Sequence, residues 1–293
     1  MHYTGEIYRP PMEARYPLLE VTAGCSHNQC RFCMMYRNTP FQVSPIEDIE
    51  ADIIEISRTY SFPIKRIFLL NGDPFVLSTE RLEEVGQLIH KYLPDIKTIT
   101  CYTSIYNLKN KSVEDLKRLR KLGYNKIYIG LETGYAPALE LINKGCTVEE
   151  EFEGLEKLKE AGIEYHAIIM LGIASRGNYQ ANAEATAKVL NFYPPRSISV
   201  MPTSVIEGSE LAKLRDEGKY IEATEGEQIK EQIVLLENLK VPDETVYFGV
   251  HMYNLISTHG TFKEKDAFIQ RFHKALNELD EAFLNSVQKR HGM

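Results

Sequence analysis

Apolar and polar positions along the chain follow two rhythms. In residues 46–60, Ile46, Ile49, Ile53 and Ile56 recur every three or four positions, which places them on one face of a helix. Ser44-Pro45-Ile46-Glu47 reads as the start of that helix, with Ser as N-cap, Pro at the first helical position and Glu three residues after the Ser. Residues 65–70 (Lys-Arg-Ile-Phe-Leu-Leu) form a short apolar run instead, and it ends in the turn signal Asn71-Gly72-Asp73-Pro74. That pattern predicts a strand. The alternation then repeats. Ser78 caps a helix to about residue 92, and residues 96–102 are a strand. Ser112, with Glu114 and Asp115, opens a helix that Gly123 stops, and residues 126–131 are the next strand. Helical stretches at 135–144 and 147–161 precede a strand at 164–171, a helix at 178–192 and a strand at 197–201. Helical segments follow near 207–217 and 225–239. Residues 18–22 supply an earlier strand, 245–251 an additional one, and 263–288 a long amphipathic C-terminal helix.

Six strand–helix alternations predict parallel strands joined by crossover helices, in an open doubly wound sheet or a full or partial barrel. In either architecture ligands sit beyond the C-terminal ends of the strands. Residues 1–16, rich in Tyr and containing Pro10-Pro11, read as an N-terminal arm; residues 17–240 form the core and 241–293 a C-terminal extension packed on it. Composition narrows the function classes. Of 293 residues, 34 are Lys or Arg and 41 Asp or Glu, a formal net charge of −7, which is not the basic footprint of a dedicated nucleic-acid binder. No stretch approaches a membrane span, and residues 1–16 lack the apolar core of a signal peptide. Five cysteines, an odd number with three clustered, are the reverse of a secreted disulfide framework, so a reducing, cytoplasmic setting is expected.

The clustered three are Cys25, Cys30 and Cys33, just past the first strand. Spacing alone leaves three readings open. They are buried thiols that happen to be neighbours, or a zinc site that needs a fourth ligand such as His27, or three ligands of an iron–sulfur cluster with one iron left open. Cys101 and Cys146 are too few and too separated to build a second cubane.

The segment around Cys25-Ser-His-Asn-Gln-Cys30-Arg-Phe32-Cys33 resembles the radical S-adenosylmethionine (radical SAM) superfamily, in which three cysteines hold a [4Fe–4S] cluster and an aromatic residue precedes the last. The spacing here is four residues then two, where three then two is commonest. Leu69-Leu70-Asn71-Gly72-Asp73-Pro74 is similar to that family's Gly-Gly-Glu-Pro segment, with Asn71 and Asp73 replacing Gly and Glu. Ile129-Gly130-Leu131-Glu132-Thr133-Gly134 is similar to a strand-end motif of the elongator-like and coproporphyrinogen-oxidase-like branch. The resemblance implies a partial (β/α)6 barrel with Cys25, Cys30 and Cys33 on the cluster. It also implies that SAM meets the backbone near Phe32 and that Asn71, Gly72 and Asp73 receive its amino group. Glu132 would contact its amino or ribose side, Ser104 at the third strand end the hydroxyls of SAM or substrate, and Leu171, Gly172 and Met201 would border the adenine. Tyr102, Asn107, His251 and Asn254, near other strand ends, are the candidate substrate contacts.

The chemistry implied by the resemblance is reductive cleavage of SAM to a 5′-deoxyadenosyl radical, fed by a flavodoxin or ferredoxin. A single cluster and an acidic surface point to a small substrate, a nucleoside or nucleotide, rather than to nucleic acid. Size and branch are similar to the queuosine lyases, which release queuine from the nucleoside or its 5′-phosphate. Alternatives are a coproporphyrinogen-oxidase-like or tRNA-modifying enzyme, or a metal- or haem-handling protein without the radical reaction. Asp115, Glu149, Glu150, Glu151 and the charged C-terminal helix read as solvated faces.

Overall fold

The apolar run that begins at Leu18 becomes two short strands, β1 (Leu18–Leu19) and β2 (Thr22–Ala23). In this computed structural model, which describes residues 1–290, β2 pairs antiparallel with β3 (Gln42–Val43) and so closes the cysteine loop at its base. The chain then alternates as expected through α1 (Ile46–Thr59), β4 (Arg66–Leu69), α2 (Thr79–Tyr92), β5 (Thr98–Thr103), α3 (Ile105–Leu108), α4 (Val113–Lys121) and β6 (Lys126–Glu132). It continues through α5 (Ala136–Leu141), α6 (Val148–Ala161), β7 (Glu164–Leu171), α7 (Tyr179–Phe192), β8 (Ser197–Pro202), α8 (Glu210–Asp216) and α9 (Glu225–Asn238). Last come β9 (Val246–Gly249), β10 (Thr258–Thr261), α10 (Lys265–Glu278) and α11 (Glu281–Leu284). Two compact units result: Met1–Asn28, Tyr36–Gly130 and Glu156–Tyr165 make one, and Gln29–Met35, Leu131–Leu155 and the chain from His166 onward make the other.

In the first unit β1, β4, β5 and β6 pair in that order, all parallel, with Leu18 opposite Phe68, Phe68 opposite Thr100 and Tyr102 opposite Tyr128. Helices α1, α2 and α4 pack side by side. Ser78 caps α2 through the Arg81 amide, and Ser112 with Asp115 forms a full capping box on α4. Ser44 does not cap α1. Its N–H donates to the Val21 carbonyl as the chain leaves β3, which holds it extended and leaves Pro45 at the cap position. On one face of the sheet Phe68, Tyr102 and Tyr128 meet edge to face. Ile7 and Met12 of the N-terminal arm pack on that cluster. The arm also brings Glu13, 1% exposed, to the Arg66 guanidinium and the Tyr128 hydroxyl, the latter at 2.6 Å.

In the second unit β7, β8 and β9 are parallel and β10 adds an antiparallel edge to β9. Nothing in Thr258-His-Gly-Thr261 alternates apolar with polar, so β10 carried no sequence signal. The long C-terminal helix is two. Leu279 turns extended, and the Asp280 side chain accepts the Phe283 N–H to start α11, a local bond that competes with helix continuation. No helix among the described residues is long and apolar enough to cross a membrane. The architecture is thus an α/β fold, mostly parallel, of the type expected from the alternation.

Candidate functional site

In the first unit two of the motifs come into direct contact. The turn after β4 lies against the start of the cysteine loop, where the Gly72 N–H donates to the Gly24 carbonyl at 3.1 Å. A Cβ on Gly72 would fall 2.8 Å from the Cys25 Cβ and 2.8 Å from the Gly24 oxygen, so only glycine permits this approach. Asp73, 2% exposed, accepts the Ser26 N–H at 3.1 Å and the Ser26 hydroxyl. Burial raises the Asp73 pKa, against the hydrogen bonds from Ser26 and the charge of His27. Asn71, in the left-handed region at φ +75°, donates through Nδ2 to Glu20 (3.0 Å) and to the Thr22 carbonyl (2.9 Å). Its Oδ1 is buried with no partner.

Two residues that follow β5, Ser104 at the cap of α3 and Asn107 within it, add to this group. Asn107, 4% exposed, lies beside Asp73, yet neither of its amide atoms meets a partner with hydrogen-bond geometry. The Ser104 hydroxyl is likewise buried and unpartnered. The turn Pro74–Val76 packs against both elements, which ties these side chains to the Asp73 turn. Tyr102 is elsewhere. It belongs to the aromatic cluster with Phe68 and Tyr128, and burial raises its pKa.

In the second unit Cys30, Phe32 and Cys33 share one apolar cluster with Met170, Met201 and Tyr220. Phe32, 7% exposed, is the anchor. The loop is pinned on both sides, because the Arg31 N–H donates to the Ile142 carbonyl at 2.9 Å and the Leu211 N–H to the Arg31 carbonyl at 2.8 Å. The Arg31 guanidinium adds a bond to the Leu141 carbonyl at 2.7 Å. Burial raises the Cys33 pKa, with neighbouring Lys144 opposing it. Leu171 is buried, and its carbonyl accepts from both the N–H and the hydroxyl of Thr203 at the end of β8. Gly172 follows it at φ +73°.

Glu132, at φ +66°, closes β6 and pairs with Lys144 at 2.7 Å; both side chains are 9% exposed. The family model for the radical SAM superfamily matches residues 19–175, more than half of the chain and all three motifs. The chain belongs to the radical SAM superfamily. Among curated relatives it is 26% identical over 155 residues to the haem chaperone HemW of Bacillus subtilis (51% of this chain, 40% of that protein). It is 25% identical over 119 residues to the tRNA uridine(34) acetyltransferase of Methanocaldococcus jannaschii (40% of this chain, 22% of that protein). The matched region is thus less than half the length of either relative. Among solved structures, methylornithine synthase aligns with a TM-score of 0.52 at 16% identity over 88% of this chain and 81% of that one, which shows a shared fold.

Membership carries the superfamily's cofactors, a [4Fe–4S] cluster and SAM. The donor chemistry of this radical SAM chain suits them: all five cysteines are thiols, none is in a disulfide, and Cys25, Cys30 and Cys33 are half-buried. No group of three or more His, Cys, Asp or Glu side chains that could hold a metal ion is gathered among the described residues. The ligand set is therefore carried forward from spacing and thiol chemistry. The unpartnered Asn71 Oδ1, Ser104 Oγ and Asn107 amide suit a polar ligand at the first unit's strand ends.

Of the later candidates, Asn254 donates to the Val200 carbonyl at 3.0 Å and leaves a buried Oδ1 unpartnered. His251 is half-buried; burial and the Arg290 charge lower its pKa. Glu151 departs from expectation. It is fully buried, not solvated, and neither carboxylate oxygen has a partner. Burial pushes its pKa up to about 9, with Lys144 opposing and Glu132 reinforcing. The missed signal is its register, because Glu151, Leu155 and Leu158 lie four and seven apart on one helix face, and both leucines are buried. Lys144, Ser26 and Arg31 carry no comparable signal, since each acts through contacts across the chain.

Because the folded state holds the Glu151 proton up to about pH 9 and the unfolded chain releases it near the ordinary value of 4.5, the folded state binds more protons between these limits. Stability therefore falls as pH rises through that window, by up to about 1.4 kcal/mol per unit for one proton. Glu151→Met is expected to raise the melting temperature more at pH 8 than at pH 5. Equal gains at the two pH values would mean that Glu151 is ionised in the fold.

Proposed function

We propose that this radical SAM enzyme acts on a nucleoside or nucleotide, and that it is a lyase releasing queuine from queuosine or its 5′-phosphate. The observation that carries the reading is the Asn107 amide, buried beside Asp73 with both polar atoms unpartnered. A buried polar group without a hydrogen bond costs about 1–3 kcal/mol, which a ligand with matching donors and acceptors offsets. Ser104 and Asn254 add a hydroxyl and an amide oxygen in the same condition. Neutral amides and a hydroxyl suit ribose hydroxyls and the hydrogen-bonding edge of a purine-like base. Several propionates would call for basic residues instead, and the net charge of −7 disfavours a polyanionic RNA.

On this reading Cys25, Cys30 and Cys33 hold the cluster, and Asn71, Gly72 and Asp73 receive the SAM amino group. Glu132 lies on the amino or ribose side, while Phe32, Leu171, Gly172 and Met201 border the adenine. Bound together there, cluster and SAM would supply the radical chemistry of hydrogen-atom abstraction. The chain's own residues orient and exclude. The apolar residues around Cys30 and Cys33 keep water from the thiolates, and Asn107 and Ser104 offer their buried polar atoms to the substrate. Tyr102 packs in its aromatic cluster with Phe68 and Tyr128. A flavodoxin or ferredoxin in a reducing cytoplasm delivers the electron.

Anaerobic turnover tests this, with 5′-deoxyadenosine followed by mass spectrometry against queuosine, its 5′-phosphate, other nucleosides, a porphyrinogen and tRNA. Queuosine or its phosphate is expected to raise 5′-deoxyadenosine formation at least about tenfold over the substrate-free rate and to release free queuine, the gain expected when a buried polar site is correctly filled. Stimulation by tRNA or porphyrinogen alone would replace this assignment with one of those substrates. Haem binding without SAM cleavage would replace it with a haem-handling role.

A further inference from the structure

Glu231 of α9 is a buried carboxyl, 2% exposed, that has no part in the chemistry described so far. One of its oxygens accepts the Gly172 N–H at 2.8 Å, and the other accepts the side-chain amide of Asn182 from α7. Asn182 is 1% exposed, and its Oδ1 accepts the hydroxyl of Thr133, the residue after Glu132. Thr133 in turn accepts the Tyr135 N–H at 2.9 Å, and the Gly172 carbonyl accepts the Tyr220 hydroxyl at 2.9 Å. The loops leaving β6 and β7 are thus tied through a single carboxylate.

We infer that Glu231 is a positioning residue that holds the Thr133 and Gly172 loops where they border the adenosine part of SAM. This rests on the SAM placement given above. The polarity of the chain of bonds supports it. Asn182 presents its N–H2 to the carboxylate and its oxygen to Thr133, so only one orientation of the amide satisfies both neighbours. Helix packing alone has no use for such an arrangement. A buried carboxyl is costly, and burial pushes the Glu231 pKa up to about 8 even though the Gly172 and Asn182 bonds oppose it. A leucine would fill the space between α7 and α9 without that cost.

The test is a reciprocal exchange in the reconstituted holoenzyme, read by binding of 5′-deoxyadenosine and of methionine, the two halves of SAM. Glu231→Gln sets two amide donors face to face, and Asn182→Asp removes the amide donor and sets two carboxyls face to face, which repel once both are ionised, so binding is read above pH 8. The double variant E231Q/N182D reverses the polarity and restores every bond, since the amide introduced on α9 then donates to the carboxylate introduced on α7, and that carboxylate still accepts from Thr133. Each single variant is expected to weaken 5′-deoxyadenosine binding at least tenfold and methionine binding less than twofold. The double variant is expected to return to within threefold of the parent. Equal losses for both ligands, or no recovery in the double variant, would overturn the role. Should the singles fail to fold, the double decides alone: parental melting temperature with parental 5′-deoxyadenosine affinity supports the role, and folded protein without that affinity overturns it. A parent that binds 5′-deoxyadenosine without SAM competing for it rejects the underlying SAM placement instead, and the inference with it.

Discussion

Replacement of Cys25, Cys30 or Cys33 by Ala, one at a time, is expected to remove iron–sulfur absorbance and SAM cleavage together. A cubane normally takes four ligands. A chain that supplies three and leaves one iron for SAM has none to spare, so two thiolates hold the cluster too weakly to survive isolation. The parent should bind about four iron and four sulfide after anaerobic reconstitution. Each variant should lose most of this, with 5′-deoxyadenosine formation down by at least about a thousandfold, more than about 4 kcal/mol at the rate-limiting barrier. Cys101→Ala and Cys146→Ala are the matched controls and should keep both properties. Cys101 is fully buried with a thiol pKa raised by that burial, so it is an inert core group. Asp73→Asn separates the two cofactors. It leaves an oxygen for Ser26 while removing the charge that would meet the SAM ammonium, so iron should stay and SAM affinity, measured by calorimetry, should fall. Retention of iron and cleavage in any one of the three cysteine variants would break the ligand assignment.

The second large effect is expected from Gly72→Ala. One methyl group there would lie 2.8 Å from the Cys25 Cβ and the Gly24 carbonyl oxygen, distances that side-chain and backbone atoms do not tolerate. Neither neighbour is the mobile end of a long side chain, so the cysteine loop must move away from the Asp73 turn. Overpacking of this kind costs about 1–3 kcal/mol. For a chain of this size that lowers the melting temperature by roughly 2–12 °C. The functional loss should be larger than the stability loss, because the displaced atoms belong to Cys25 itself and to the Gly24–Gly72 hydrogen bond. A variant that still reconstitutes its cluster fully would show that this contact does not set the loop.

The alternation of strands and helices was legible because each strand is a short apolar run and each helix repeats every three or four positions. Ser78 and Ser112 could be read as caps because their partners, Arg81 and Asp115, lie three residues on. Ser44 could not, since the bond that removes it from the cap comes from Val21, brought alongside by the β2–β3 pairing. The break at Leu279 turns on the local competition of Asp280, which a smooth amphipathic pattern conceals. At the site, Gly72 was recognisable as a motif residue, whereas its reason for being glycine lies in a contact 47 residues away in sequence. The buried glutamates escaped for a different reason. Composition assigns acidic residues to water, and only their helical register with Leu155 or Leu235 places Glu151 and Glu231 inside.

The Glu13, Arg66 and Tyr128 contact has a consequence for how such sequences can drift. A guanidinium does not lose its proton in a protein, so loss of the Glu13 carboxylate leaves the largely buried Arg66 cation without its partner, and loss of the Arg66 cation leaves the buried Glu13 anion without its own. Each intermediate sequence is penalised although a wholly apolar trio of similar volume would pack well. Once acquired, the trio behaves as a ratchet, and divergent descendants are expected to keep all three residues or to have exchanged them together.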